Sequence, residues 1–166
     1  MTIDPLEAFG LFYKDNSGPV FRALLAGTLN RAAAEDATAE AFARALAHWD
    51  TVASHPNPKA WVLRVAWNHY RSSWRRWEAR WSVDQPEPSP PPAESWVDPH
   101  LVAAIRGLPR GQREVIVLVA LGELTPTEIA GVLGRAVGTV RSQLSRARMA
   151  LRQVLDEATG PEGRDA

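Results

Sequence analysis

The chain has 166 residues, 45% of them hydrophobic, with 19 basic and 19 acidic side chains and no cysteine. That length buries one modest core or two small ones, and two small helical domains fit it better. Without cysteine there are neither disulfides nor thiolate metal sites, and no apolar run approaches the roughly 20 residues that cross a bilayer.

The opening MTIDPLEAF has acids and no basic stretch before an apolar one. No secretory signal is expected from such an opening, and a cytoplasmic protein is expected. The zero net charge conceals segregation. Residues 1–56 carry −3, 57–81 carry +5, 82–100 carry −4, 101–134 balance, 135–153 carry +5 and 154–166 carry −3. Two basic blocks on acidic or neutral surroundings match two DNA footprints, the acids limiting nonspecific binding. Two solvated helix faces would give the same charges.

Phe9 to Leu29 supplies Phe9, Phe12, Tyr13, Phe21, Leu24, Leu25 and Leu29, enough for one or two core helices broken near Asn16-Ser17-Gly18-Pro19. Next, AAAEDATAEAFARALAHWD reads as one helix. Ala34, Ala37, Ala41 and Ala45 share one face, Phe42, Leu46 and Trp49 a neighbouring one, and Asp36, Glu40 and Arg44 an exposed row.

Asn57-Pro58 caps and opens a long helix from Lys59 to about Trp81. Along it Trp61, Trp67, Trp74, Trp77 and Trp81 interleave with Arg64, Arg71, Arg75, Arg76 and Arg80. Rings stack on unpaired bases and arginines hold phosphates, so this composition suits single-stranded nucleic acid. Trp61 and Trp67 fall within the apolar pattern and read as core, whereas Trp74, Trp77 and Trp81 lie beyond it.

Residues 82–97, SVDQPEPSPPPAESWV, form an acidic Pro-rich linker. Asp98-Pro99 starts a short helix through Arg106 that ends at Gly107. Pro109 opens another, stopped by Gly122. Its run Val115 to Leu121 is apolar without a break, so its buried face is not defined. The helical surroundings favour a covered helix over a buried strand.

Leu124 to Arg148 reads as a helix-turn-helix. Thr125, Pro126 and Glu128 make a capping box with proline at the first helical position, and Gly134 falls where the chain must turn. On the second helix Val140, Leu144, Ala147, Leu151 and Val154 share one face, while Thr139, Arg141, Ser142, Ser145 and Arg146 are candidates for the major groove. A helical hairpin with a solvated Arg-rich face is the plainer alternative.

EIAGVLGRAVGTVRSQLSRAR resembles the promoter-reading C-terminal domain of extracytoplasmic-function (ECF) sigma factors, with Ala136 where the family usually has Ser or Pro and Gln143 where it usually has Arg. Leu108-Pro109, Arg113-Glu114 and Leu118 resemble the start of that domain. NPKAWVLRVAWNHYRSSWRR resembles the sigma helix that melts and reads the minus-ten element. The resemblance implies DNA-binding roles for Asn57, Lys59, Arg64 and Asn68, to which Arg71, Trp74, Arg75 and Arg76 add the basic and aromatic remainder of the helix. DATAEAFARALAHWD resembles the segment that docks on the polymerase β′ clamp, implying roles for Asp36, Glu40, Phe42 and Asp50, with Ala39 where Gln is usual.

The resemblance runs from Ala8 to Leu155. It implies a sigma factor whose partners are core RNA polymerase (β′ clamp and β flap) and promoter DNA, and it allows an anti-sigma factor. The expected fold is all-α, with two small helical domains, 1–81 and 98–158, joined by the linker 82–97 and followed by a disordered tail 159–166. The alternatives are a helix-turn-helix transcriptional regulator with a helical sensor domain, and an all-α enzyme or adaptor with an incidental Arg-rich helix.

An enzyme is not expected. His48, His55, His69 and His100 are scattered without ligand spacing, and there is no phosphate-binding Gly loop or nucleophile elbow. No cofactor or metal is expected either.

Overall fold

Every described element is an α-helix. The computed structural model describes residues 4–80 and 98–158, without the side chains of 77–80 and 158, so the linker, the tail, Trp81 and the ring of Trp77 lie outside it. The helices are α1 (Pro5–Thr28), α2 (Arg31–Ala47), α3 (Trp49–Ala53), α4 (Pro58–Arg80), α5 (Pro99–Gly107), α6 (Arg110–Ala120), α7 (Pro126–Leu133) and α8 (Val137–Ala158).

The break predicted near Asn16–Pro19 does not occur, because α1 continues through Pro19. Proline removes one amide from the ladder, but Val20, Ala23 and Leu24 just beyond it are fully buried. Tertiary packing of that face holds the helix where local propensity would end it. In α2, by contrast, the predicted helix stops early. It ends at Ala47, and Trp49 and Asp50 belong to the separate short α3.

Asn30 caps α2 by accepting a hydrogen bond from the amide of Ala33 at 2.9 Å. Ala34, Ala37, Ala41 and Ala45 are all at 0% exposure, so small side chains let α2 lie close to its neighbours, α1 and α4. Asn57 caps α4 in the same way, accepting from the amide of Ala60 at 3.2 Å. Val62, Leu63, Ala66 and Trp67 are buried beneath it. Trp67 is core as expected, and Trp61 is half-buried against the same cluster.

Asp98 caps α5 through the amide of His100 at 2.8 Å. The apolar run of α6 is helical, and its buried face comprises Glu114, Val115, Val117 and Leu118. The core does not stop between the two halves. One cluster takes in Val20, Leu24 and Trp67 from the first half with Val117, Ile129 and Leu133 from the second. No helix among the described residues is long and apolar enough to cross a membrane.

Candidate nucleic-acid interface

Helix α7 begins with the complete capping box. The Thr125 hydroxyl accepts from the Glu128 amide at 3.3 Å, and the Glu128 carboxylate accepts from the Thr125 amide at 2.8 Å. It ends at Gly134, whose φ of 63° is the left-handed conformation that a side chain disfavours. Three residues later α8 starts, with Val140 and Ala147 fully buried and Leu144 nearly so. Burial of that face turns Thr139, Arg141, Ser142, Ser145 and Arg146 outward, and all five are exposed. Neither Arg141 nor Arg146 forms an ion pair among the described residues, so both guanidinium groups are available for an anionic partner.

A second charge network fixes the turn. Glu114 of α6 is 1% exposed, and its carboxylate accepts from Arg110 at 3.0 Å and from Arg135 in the turn between α7 and α8. Arg135 also donates to Gln143 of α8 at 3.2 Å. Gln143 therefore faces inward and braces the turn. Glu114, Arg135 and Gln143 were not singled out as a group by sequence, although an acid four residues after Arg110 on an apolar helix was a visible signal.

The residues expected to meet melted DNA divide in two. Arg64, Asn68, Arg75 and Arg76 are exposed on α4. Asn57, Lys59 and Arg71 are instead engaged by the second half of the chain. The Asn57 side-chain amide donates to Glu128 at 2.8 Å, Lys59 pairs with Glu123 at 3.7 Å, and Arg71 donates to the carbonyls of Leu133 at 2.7 Å and Val132 at 3.2 Å. Those two carbonyls belong to the last turn of α7, which has no helical donors left for them. A cation there also complements the helix dipole. Burial holds the Arg71 guanidinium below its usual range, the Glu114 charge opposing that shift.

Trp74 is half-buried beside Tyr70, their ring centroids 6.3 Å apart, and so is less free than its place beyond the apolar pattern suggested. It lines a cleft of about 230 Å³ with Asn30, Asp36, His69 and Ser73. On α2, Asp36 is exposed and meets the His69 ring at 2.7 Å, and Glu40 pairs with Arg44 at 2.6 Å. Asp50 is exposed on α3. Phe42 is 3% exposed, with the Tyr13 ring edge-on at 5.0 Å and the Phe12 ring at 6.0 Å. It holds α2 in place and has almost no surface left for a partner.

The chain matches two family profiles, Sigma-70 region 2 over residues 12–80 and Sigma-70, region 4 over residues 101–151. It is 31% identical over 141 residues to the ECF RNA polymerase sigma factor EcfG of Rhodopseudomonas palustris, covering 81% of this chain and 77% of that protein. The chain belongs to the ECF sigma factors of the sigma-70 family. The ECF sigma factor SigM of Bacillus subtilis is 26% identical over 98% of this chain and all of its own length. The fold is that of the sigma factor RpoE from Bartonella quintana, at a TM-score of 0.76 and 23% identity over 90% of this chain and 97% of that one. Sigma factors are regulatory DNA-binding proteins rather than enzymes. They bind core RNA polymerase and promoter DNA in transcription initiation.

The capping box of this sigma factor carries a pH signature. The Thr125 amide, and then the Asn57 side chain, hold the Glu128 carboxyl below the usual carboxylate range. A depressed value means that its stabilisation is present above the unfolded pKa and is lost as pH falls through the folded one. Urea midpoints measured across the acid range should therefore fall less steeply for Glu128→Gln than for wild type. Glutamine preserves the capping box but does not titrate. Equal slopes would remove Glu128 as a contributor.

Proposed function

We propose that this sigma factor reads the minus-thirty-five element with α8 and melts the minus-ten element with α4. The observation that carries the proposal is the outward row Thr139, Arg141, Ser142, Ser145 and Arg146 on the helix after the Gly134 turn, with the opposite face buried. A helix presenting cations and hydroxyls at its N-terminal half fits the major groove. Reconstituted transcription with core polymerase on a library of genomic fragments tests the whole proposal. Selective initiation that requires this chain is expected, and initiation equal to that of core polymerase alone would overturn it.

Replacing Arg141 or Arg146 with alanine should cost about 1–3 kcal/mol of duplex binding if the side chain reads a base, and should weaken all sequences evenly if it meets phosphate. Fluorescence anisotropy at moderate salt separates the two outcomes. Unchanged affinity in both variants would remove these residues from the interface.

For polymerase docking at the β′ clamp, the exposed Asp36 and Asp50 and the half-buried Glu40 supply the contact carboxylates, and Phe42 acts by holding α2. Asp36→Arg with Glu40→Arg should abolish capture of core polymerase in a pull-down while leaving duplex binding by α8 intact. Capture at wild-type strength would reject this face. The functional units of the proposal are 1–81 for the polymerase and the minus-ten element and 98–158 for the minus-thirty-five element and the β flap, joined by 82–97. The site of action is the cytoplasm. An anti-sigma factor is a further partner by analogy with the Bartonella quintana sigma factor, which was solved in complex with the anti-sigma factor NepR.

A further inference from the structure

Helix α8 carries a glutamine at the border of its outward face. On the helical wheel Gln143 falls between the buried stripe of Val140, Leu144 and Ala147 and the outward row at Thr139 and Arg146, and it is half-buried. A glutamine there has two possible uses. Turned outward it would pair with an adenine edge in the major groove, and turned inward it is withheld from DNA. The structure turns it inward. Arg135 donates to its Oε1 at 3.2 Å and to the Gly111 carbonyl at 3.4 Å, and the same guanidinium meets the buried Glu114 carboxylate. The Gln143 Nε2 lies over Gly111 of α6, where an added Cβ would stand 2.5 Å away. The amide fits because residue 111 has no side chain.

We infer that Gln143 is a positioning residue for promoter reading: with Arg135, Glu114 and Gly111 it sets the angle at which α8 enters the major groove, and it reads no base itself. The inference rests on the minus-thirty-five role proposed above. The apolar stripe under α8 holds the helix down, but apolar contact is non-directional and leaves rotation about the helix axis weakly fixed. Hydrogen bonds of defined geometry fix it. Glu114, at 1% exposure, anchors Arg135, and Arg135 anchors Gln143, which makes a polar chain from the core to the DNA-facing helix. Gln143 stands between Arg141 and Arg146 along α8, so a small rotation there would carry both guanidinium groups off their base edges. Supporting bonds behind the contacting residues decide whether such a site is accurate or loose.

Gly111→Ala tests this without altering the groove-facing surface. The added methyl displaces the Gln143 amide, while alanine in place of glycine within a helix adds stability of its own, so a loss of folding would not explain an altered preference. Holoenzyme reconstituted from wild type and core polymerase first selects a duplex from a sequence-randomised library, and that duplex with its single base-pair variants supplies the probes. Gly111→Ala and Gln143→Ala should each lower the preference for the selected duplex about three- to tenfold, spread over the base pairs at which Arg141→Ala and Arg146→Ala also act. The thermal midpoint of Gly111→Ala should stay at or above that of wild type. Gln143→Ala keeps the test valid if Gly111→Ala does not fold. A glutamine that reads a base predicts another pattern, in which Gln143→Ala levels the preference at a single base pair. That pattern, or wild-type preference in both variants, would overturn the inference. Failure of the minus-thirty-five reading looks different: no sequence is enriched, or Arg141→Ala and Arg146→Ala leave the preference intact, and the inference falls with it.

Discussion

Replacing Glu114 with alanine is expected to cost about 3–5 kcal/mol of stability, the usual consequence of removing one partner from a buried ion network. The carboxylate is 1% exposed and takes hydrogen bonds from Arg110 and Arg135. Its charge also reaches Arg71 and Arg113, raising the pKa of both against burial. Alanine would leave Arg110 and Arg135 without their shared acceptor and would remove the compensating charge near Arg71 and Arg113. Exposed pairs such as Arg31–Glu35 and Arg44–Glu40 predict far less, about 0–1 kcal/mol, because water screens them. Urea denaturation followed by circular dichroism gives the comparison, with Glu114→Gln as an intermediate that keeps acceptor and shape but loses the charge. A loss below about 0.5 kcal/mol in Glu114→Ala would show that the arginines are satisfied by solvent.

Sequence revealed those features that depend on short-range chemistry. The Thr125–Glu128 box, Gly134 and the alternation of Val140, Leu144 and Ala147 with exposed polar groups are each fixed within one or two helical turns, and α7 and α8 follow from them. Asn57 and Asp98 likewise announce α4 and α5 through caps to the next amides. Features that depend on distant partners were hidden. Pro19 stays helical because of the burial of Val20 and Leu24, which no local pattern specifies. The family resemblance gave Phe42 a docking role, yet Phe12 and Tyr13 of α1 cover it. Arg71 shares its composition with Arg75, only four residues away. One caps α7 and the other is exposed, a difference set by a contact 62 residues along the chain.

That difference makes Arg75 and Arg76 the cleaner test of DNA melting. Both are exposed, and their only bonds among the described residues are weak local ones, Arg75 to the Arg71 carbonyl at 3.4 Å and Arg76 to the Ser73 hydroxyl at 3.3 Å. Replacing both with alanine should leave the fold and polymerase capture unchanged. If each arginine contributes about 1 kcal/mol or slightly more to holding the separated strand, open-complex formation should fall roughly 10- to 100-fold. Trp74 beside them, at the edge of the cleft with His69 and Ser73, would supply a stacking surface. Unpairing and unstacking cost free energy that the variant no longer offsets, so a template with a pre-melted bubble should recover much of the lost activity. Permanganate footprinting on duplex and bubble templates reads both quantities. A solvated helix end predicts equal footprints on duplex DNA, and that result would reject a melting role for this stretch of α4. A loss of similar size on both templates would instead place the two arginines in ordinary phosphate contact, where they would bind the strand without helping to open it.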